Sequence, residues 1–144
     1  MAEQSYARHA KFSTPFHRIL FPLLAITVIG SFVNLYQSLD DHSRLYNASL
    51  IAALSVAAML AAALLRIFAL KAQDRAIRAE ENLRHYVLTG KLLDPRLSVK
   101  QIVALRFAPD AEFPALAAKA AAEGLEPDTI KRSVQNWRAD HDRL

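Results

Sequence analysis

The sequence predicts an all-α protein: a transmembrane helical hairpin, a long second helix extending into the cytoplasm, and a small three-helix C-terminal module. Three observations carry this. Two long apolar blocks lie in the first half of the chain, charge crowds into the second half, and Gly, Pro and capping residues punctuate the last fifty or so residues at helical spacing. The chain has 144 residues and a formal net charge of +4. In a soluble protein that charge would suggest nucleic acid. In a membrane protein it is the expected excess of Lys and Arg on the cytoplasmic side. The chain has no cysteine, which removes a disulfide framework, a thiol nucleophile and a cysteine-ligated metal.

Residues 1–18 form a cytoplasmic or interfacial arm in which Tyr6, Phe12 and Phe16 interleave with His9, Lys11, His17 and Arg18. Amphipathic rings and cations both settle at headgroups. Tyr6, His9 and His17 are candidate interaction residues. His9 and His17 lie eight apart with no carboxylate pattern beside them, so no metal or other cofactor is expected.

Residues 19–70 are the hairpin. Ile19 to Tyr36 carries no charge, and its 18 residues span about 27 Å, close to the hydrocarbon thickness. Pro22 falls in its first turn, where a missing N–H costs little. No small-residue cleavage pattern follows, so an uncleaved anchor is expected. Ser49 to Leu70 spans about 33 Å. Its one charge, Arg66, sits within reach of the headgroups. Both segments are apolar on every face; the rival reading is a pair of buried core helices. The connecting loop, residues 37–48, should lie outside, because Arg8, Lys11, Arg18, Lys71, Arg75, Arg78 and Arg84 flank the other ends whereas the loop has Arg44 alone. The positive-inside rule then puts both termini in the cytoplasm. Ser49, Ala53, Ala57 and Ala61 recur every four residues, a stripe that lets backbones approach closely in lipid. It could serve the hairpin itself, with Ala25, Gly30 and Ser31 as complements, or a second copy, or another membrane protein.

Residues 71–90 continue the second span in good helix formers. Glu80–Arg84 is one of several opposite-charge pairs along this segment, and a heptad reading places Gln73 and Glu80 on the seam, a weak coiled-coil match. Gly90 is a C-terminal cap.

Residues 91–144 form the C-terminal module. Asp94-Pro95 marks a turn. Ser98 and Gln101 make a capping box for a helix through about Phe107. Asp110 caps a second helix from Ala111 to about Glu123, ended by Gly124, with Leu125 folding back. Pro127 opens a third, on which Ile130, Val134 and Trp137 share one face. The core is small and needs the membrane-proximal helix, a twin copy or a partner. Trp137 is either an interaction anchor or the closure of the tail's own core.

A second reading of the tail is DNA binding. Ala120, Gly124, Leu125, Thr129, Ile130 and Arg132 fit helix-turn-helix spacing, with Lys131, Arg132, Gln135, Asn136 and Arg138 facing the groove. Asp128, Asp140 and Asp142 count against it. No Ser/His/Asp arrangement, phosphate loop or metal-ligand spacing is visible, so an enzyme is not expected; Asp110 with Glu112 reads as helix N-terminal charge.

Gln4-x-Tyr6-x2-His9 and Pro15-x-His17 before a span, with Ile130-Lys131 and Asn136-Trp137-Arg138-x-Asp140 in the tail, resemble a group of small bacterial two-span membrane proteins of unknown function. The resemblance covers nearly the whole chain. It implies a bacterial inner-membrane setting and no stated activity. The expected role is an accessory subunit or scaffold whose partners are the lipid bilayer and another membrane protein or its own copy.

Overall fold

Pro15 and Pro22 bracket the start of the first helix, and the backbone widens to take them. A computed structural model describes residues 13–140. In it a π-helical stretch, Pro15–Leu20, runs without a break into α1, Phe21–Gln37. The Phe21 N–H donates to the Phe16 carbonyl, five residues back. Pro22 is thus the second residue of α1, in its first turn as the sequence suggested, although a π-helical stretch precedes it. A prolyl residue there has no N–H to give, and a widened turn is a usual way for a helix to absorb that loss.

The second helix, α2, runs His42–Thr89. It begins seven residues before the Ser49 expected from hydropathy, and the loop shrinks to residues 38–41. The reason is a cap that hydropathy does not register. Asp41 Oδ1 accepts from the Ser43 N–H at 3.0 Å, the Ser43 hydroxyl at 2.7 Å and the Arg44 N–H at 3.3 Å. These bonds, the Ser43 hydroxyl first, hold the Asp41 carboxyl below its ordinary value. A polar loop residue thus starts a helix whose first turn is not apolar. Both long helices, Pro15–Gln37 counted as one, are long and apolar enough to cross a membrane.

The described residues divide into two units, 13–69 and 70–140. In the first, α1 and α2 meet along Ser31 and Ser55, both buried, whose hydroxyls lie 2.8 Å apart. Each also reaches a carbonyl of its own helix, Val28 and Ala52 respectively. Two protons serve three contacts, so the pair shares them. Interhelical bonds of this kind are worth about 0.6 kcal/mol in lipid.

In the second unit Gly90 ends α2 at φ 72°, its N–H on the Tyr86 carbonyl at 2.7 Å. The Asp94-Pro95 turn closes with the Leu97 N–H on the Asp94 carbonyl. The Arg96 guanidinium, and then the Arg96 backbone N–H, pull the Asp94 carboxyl down to about 2. α3, Val99–Leu105, opens on the expected capping box, the Ser98 N–H donating to Gln101 Oε1 at 2.8 Å. It stops two residues short of Phe107. α4 is Phe113–Glu123. It starts later than expected, and Asp110 does not cap it, because both nearby carboxylates are drawn into tertiary bonds. Gly124, at φ 62°, ends it, and the Leu125 N–H returns to the Ala120 carbonyl at 3.2 Å.

α5, Pro127–Ser133, is shorter than expected. Val134 is extended, so Ile130, Val134 and Trp137 do not share a helix face. All three nevertheless reach one core, built from Leu93, Leu97, Ile102, Leu105, Phe107, Phe113, Leu116, Ile130 and Val134, with Leu125 and Trp137 packed against it. Ala104, Ala108, Ala117 and Ala120 are the small members that let its helices approach. The end of α2 supplies the support so small a core needs. The Leu93 N–H donates to Asn82 Oδ1 at 2.9 Å, and the His85 ring meets Phe113 edge-on at 5.7 Å.

Candidate functional site

Three polar fastenings hold the second unit. The first is Arg84 on α2. Its Nη1 lies 2.9 Å from Glu81 Oε2, its Nε donates to Asp110 Oδ1 at 2.7 Å and its Nη2 to the Ala108 carbonyl at 2.8 Å. Its guanidinium carbon stands 4.4 Å over the Phe113 ring. The sequence paired Arg84 with Glu80. Glu80 is exposed, whereas Glu81 is only 5% exposed. A charge pair gains more where water is excluded, so the cation turns inward.

The second fastening is Glu112. Its carboxylate accepts from the Gln135 N–H at 3.0 Å, the Asn136 N–H at 3.1 Å and the Asn136 side-chain amide at 3.0 Å. These charge-assisted bonds take backbone donors that a longer α5 would have needed, which explains its end at Ser133. The third is Arg106, whose Nε lies 2.8 Å from Asp140 Oδ2 and whose guanidinium stands 4.4 Å over Phe107. Between the fastenings the Arg138 N–H donates to the Phe107 carbonyl at 2.8 Å, and Trp137 lies on the Phe107 ring at 4.5 Å. The Asn136-Trp137-Arg138-x-Asp140 motif is thus a strap that closes the tail. Trp137, half-buried, packs against the tail's own core.

Glu112 makes the strap sensitive to acid. The Gln135 N–H, and then the Asn136 side chain and N–H, hold its carboxyl below the ordinary 4.5. A depressed carboxylate stabilises the fold above its unfolded value and ceases to as pH falls through its lower folded value. Trp137 emission is therefore expected to stay flat from neutral pH down to the ordinary carboxylate range and to change only below it. Glu112→Gln should remove part of that acid step, and identical acid titrations of the two proteins would show that Glu112 does not govern the strap.

The residues singled out in the sequence are distributed as follows. Tyr6 and His9 lie outside the described residues. His17 Nδ1 is 3.0 Å from the Ser13 carbonyl, and its ring meets Phe16 edge-on. Arg66 stands 5.7 Å over Phe16. Lys131 and Arg132 lie on α5, with Arg132 2.9 Å from Asp128, whereas Gln135, Asn136 and Arg138 lie on the strap. The five therefore do not share one helix.

Ser49, Ala53, Ala57 and Ala61 are exposed, which corrects the intramolecular use of that stripe. The buried residues are Ala48, Ala52, Ser55 and Ala62, with Met59 half-buried. Steps of four drift about 40° each around a helix, whereas alternating steps of four and three stay on one face. Of the proposed complements on α1, Ser31 is buried, Ala25 half-buried and Gly30 exposed.

Glu81, Glu112 and Arg106 were not singled out in the sequence as fastenings. Each was one charge among many, and only long-range contacts distinguish them. Among the described residues no three potential metal-ligating side chains gather. The most prominent surface feature of the second unit is apolar: Leu83, Tyr86 and Val87 at the end of α2 are 63%, 53% and 75% exposed.

No curated protein and no solved structure matches the chain. One family model matches residues 1–144, described as a family of unknown function (DUF6526), and the chain belongs to that family.

Proposed function

We propose that this chain is a non-enzymatic bacterial inner-membrane protein, with both termini in the cytoplasm, that serves as an accessory subunit or scaffold through protein contacts of its helical tail. The observation that carries the reading is exposed apolar surface at two places. Along the long helices, Ile26, Leu54 and Leu65 are among many large apolar side chains turned outward. Water penalises such a surface by about 25 cal/mol for each Å², and a bilayer removes the penalty. Leu83, Tyr86 and Val87 form the second place. They follow Lys71, Arg75 and Arg78, the cations expected at the headgroups. Lipid tails do not account for that second surface, and a protein partner does.

Topology is the first test. In spheroplasts carrying the full chain, added protease is expected to leave the C-terminal tail intact. Trimming of the tail would overturn the orientation. A gel shift with the full chain in detergent tests the alternative: sequence-selective retention of a DNA fragment at physiological salt would replace the scaffold with a membrane-tethered regulator.

A further inference from the structure

The end of α2 has two opposed faces. Ile77 and Glu81 are buried, and Arg84 turns toward Glu81 and Asp110. On the other side Ala72, Ala76, Ala79, Leu83 and Tyr86 are all exposed. They are spaced four, three, four and three residues apart, as the a and d positions of a heptad are. The seam expected from sequence, through Gln73 and Glu80, sits beside this face rather than on it. In the exposed register Arg75 takes the g position and Glu80 the e position five residues later; both are exposed.

We infer that this face is covered by the same face of a second copy, as a parallel two-helix seam. The inference rests on the membrane reading above. The apolar half of α2 inserts in the same sense in every copy, so the tail-side ends of two copies run parallel. In a parallel heptad pair, g of one helix meets e of the other five residues on. Arg75 of one copy then meets Glu80 of the second, and two-fold symmetry repeats the pair. The opposite charges stand where a self-seam needs them. The alanines at three of the five seam positions allow close approach, and Leu83 and Tyr86 add the larger contact.

The chain has no cysteine of its own, so single-cysteine variants report cleanly. In native membranes under mild oxidation, Ala79→Cys and Leu83→Cys are expected to give at least about fivefold more disulfide-linked dimer than Arg78→Cys, an exposed position outside the seam. In the Ala79→Cys background, Arg75→Glu or Glu80→Arg should each lower the dimer yield by about threefold, and the combined reversal should restore it. Equal or absent linkage at Ala79 and Leu83 overturns the seam, as does linkage to a protein of another mass. A combined reversal that fails to restore the yield overturns the parallel register. Carbonate washing of the same membranes tests the anchor separately. Protein that pellets but does not link loses the seam and keeps the anchor; protein released by the wash loses the anchor and the parallel alignment with it.

Discussion

Replacing Phe107 by alanine is expected to cost the C-terminal unit about 3–5 kcal/mol, the range for deleting a buried aromatic ring. Phe107 is 1% exposed and among the largest fully buried side chains. It also carries other contacts. Trp137 lies on one ring contact and the Arg106 guanidinium on another, and the Phe107 carbonyl holds the Arg138 N–H. Domains of ordinary size hold only about 5–15 kcal/mol in total, and this one is smaller than most. The variant should therefore leave the tail largely unfolded while the hairpin persists. Trp137 is the only tryptophan of the chain and reports the change directly. Full-length protein in detergent should show a red-shifted emission and lose the cooperative thermal transition of the tail. An unshifted spectrum with an unchanged midpoint would remove Phe107 from the centre of this core. Lys100→Ala, on an exposed position of α3, should move the midpoint hardly at all.

The second large effect is expected at Arg84. Arg84→Ala leaves Glu81, 5% exposed, with the Arg138 guanidinium at 3.6 Å as a partial substitute. Breaking a buried ion pair from one side costs about 3–5 kcal/mol. The lower end applies here, about 3 kcal/mol, because Arg138 partly compensates. Asp110 adds little, since its side chain is 68% exposed and screened. The lost bond to the Ala108 carbonyl and the lost stacking on Phe113 belong to the same variant. Glu81→Leu combined with Arg84→Met should cost much less than Arg84→Ala alone, because no buried charge is then stranded. Thermal unfolding of the three proteins in one detergent decides the matter. Equal losses in the single and double variants would mean that the packing of the Arg84 stem, and not its charge, holds the tail to α2.

Much of the fold is readable from local chemistry. The Ser98–Gln101 capping box, the Gly90 and Gly124 terminators and the continuity of α2 past Leu70 each depend on a few neighbouring residues and on backbone preferences. The errors arise where distant groups compete for the same atoms. Asp110 and Glu112 have the composition of helix N-terminal charge, yet Arg84 and the strap claim them. Trp137 has helical spacing from Ile130, yet α5 ends at Ser133 because Glu112 takes the next free N–H groups. The small-residue stripe missed the hairpin's own contact for a different reason. A repeat of four looks regular in sequence but winds around the helix, and the contacting face is the one through Ser55.

By itself, then, the sequence determined an all-helical chain with two apolar helices of membrane-spanning length, a second helix that continues beyond its apolar stretch, and a capped helical tail. These follow from hydropathy, propensity and capping, which act over a few residues. Tertiary structure alone decided which way Arg84 turns, how far α5 runs, how the Asn136-to-Asp140 segment straps the core, and which face of α2 stays open. Those outcomes depend on which groups lose water together, and a carboxylate such as Glu112 gains its partners only once residues more than twenty positions away are folded against it.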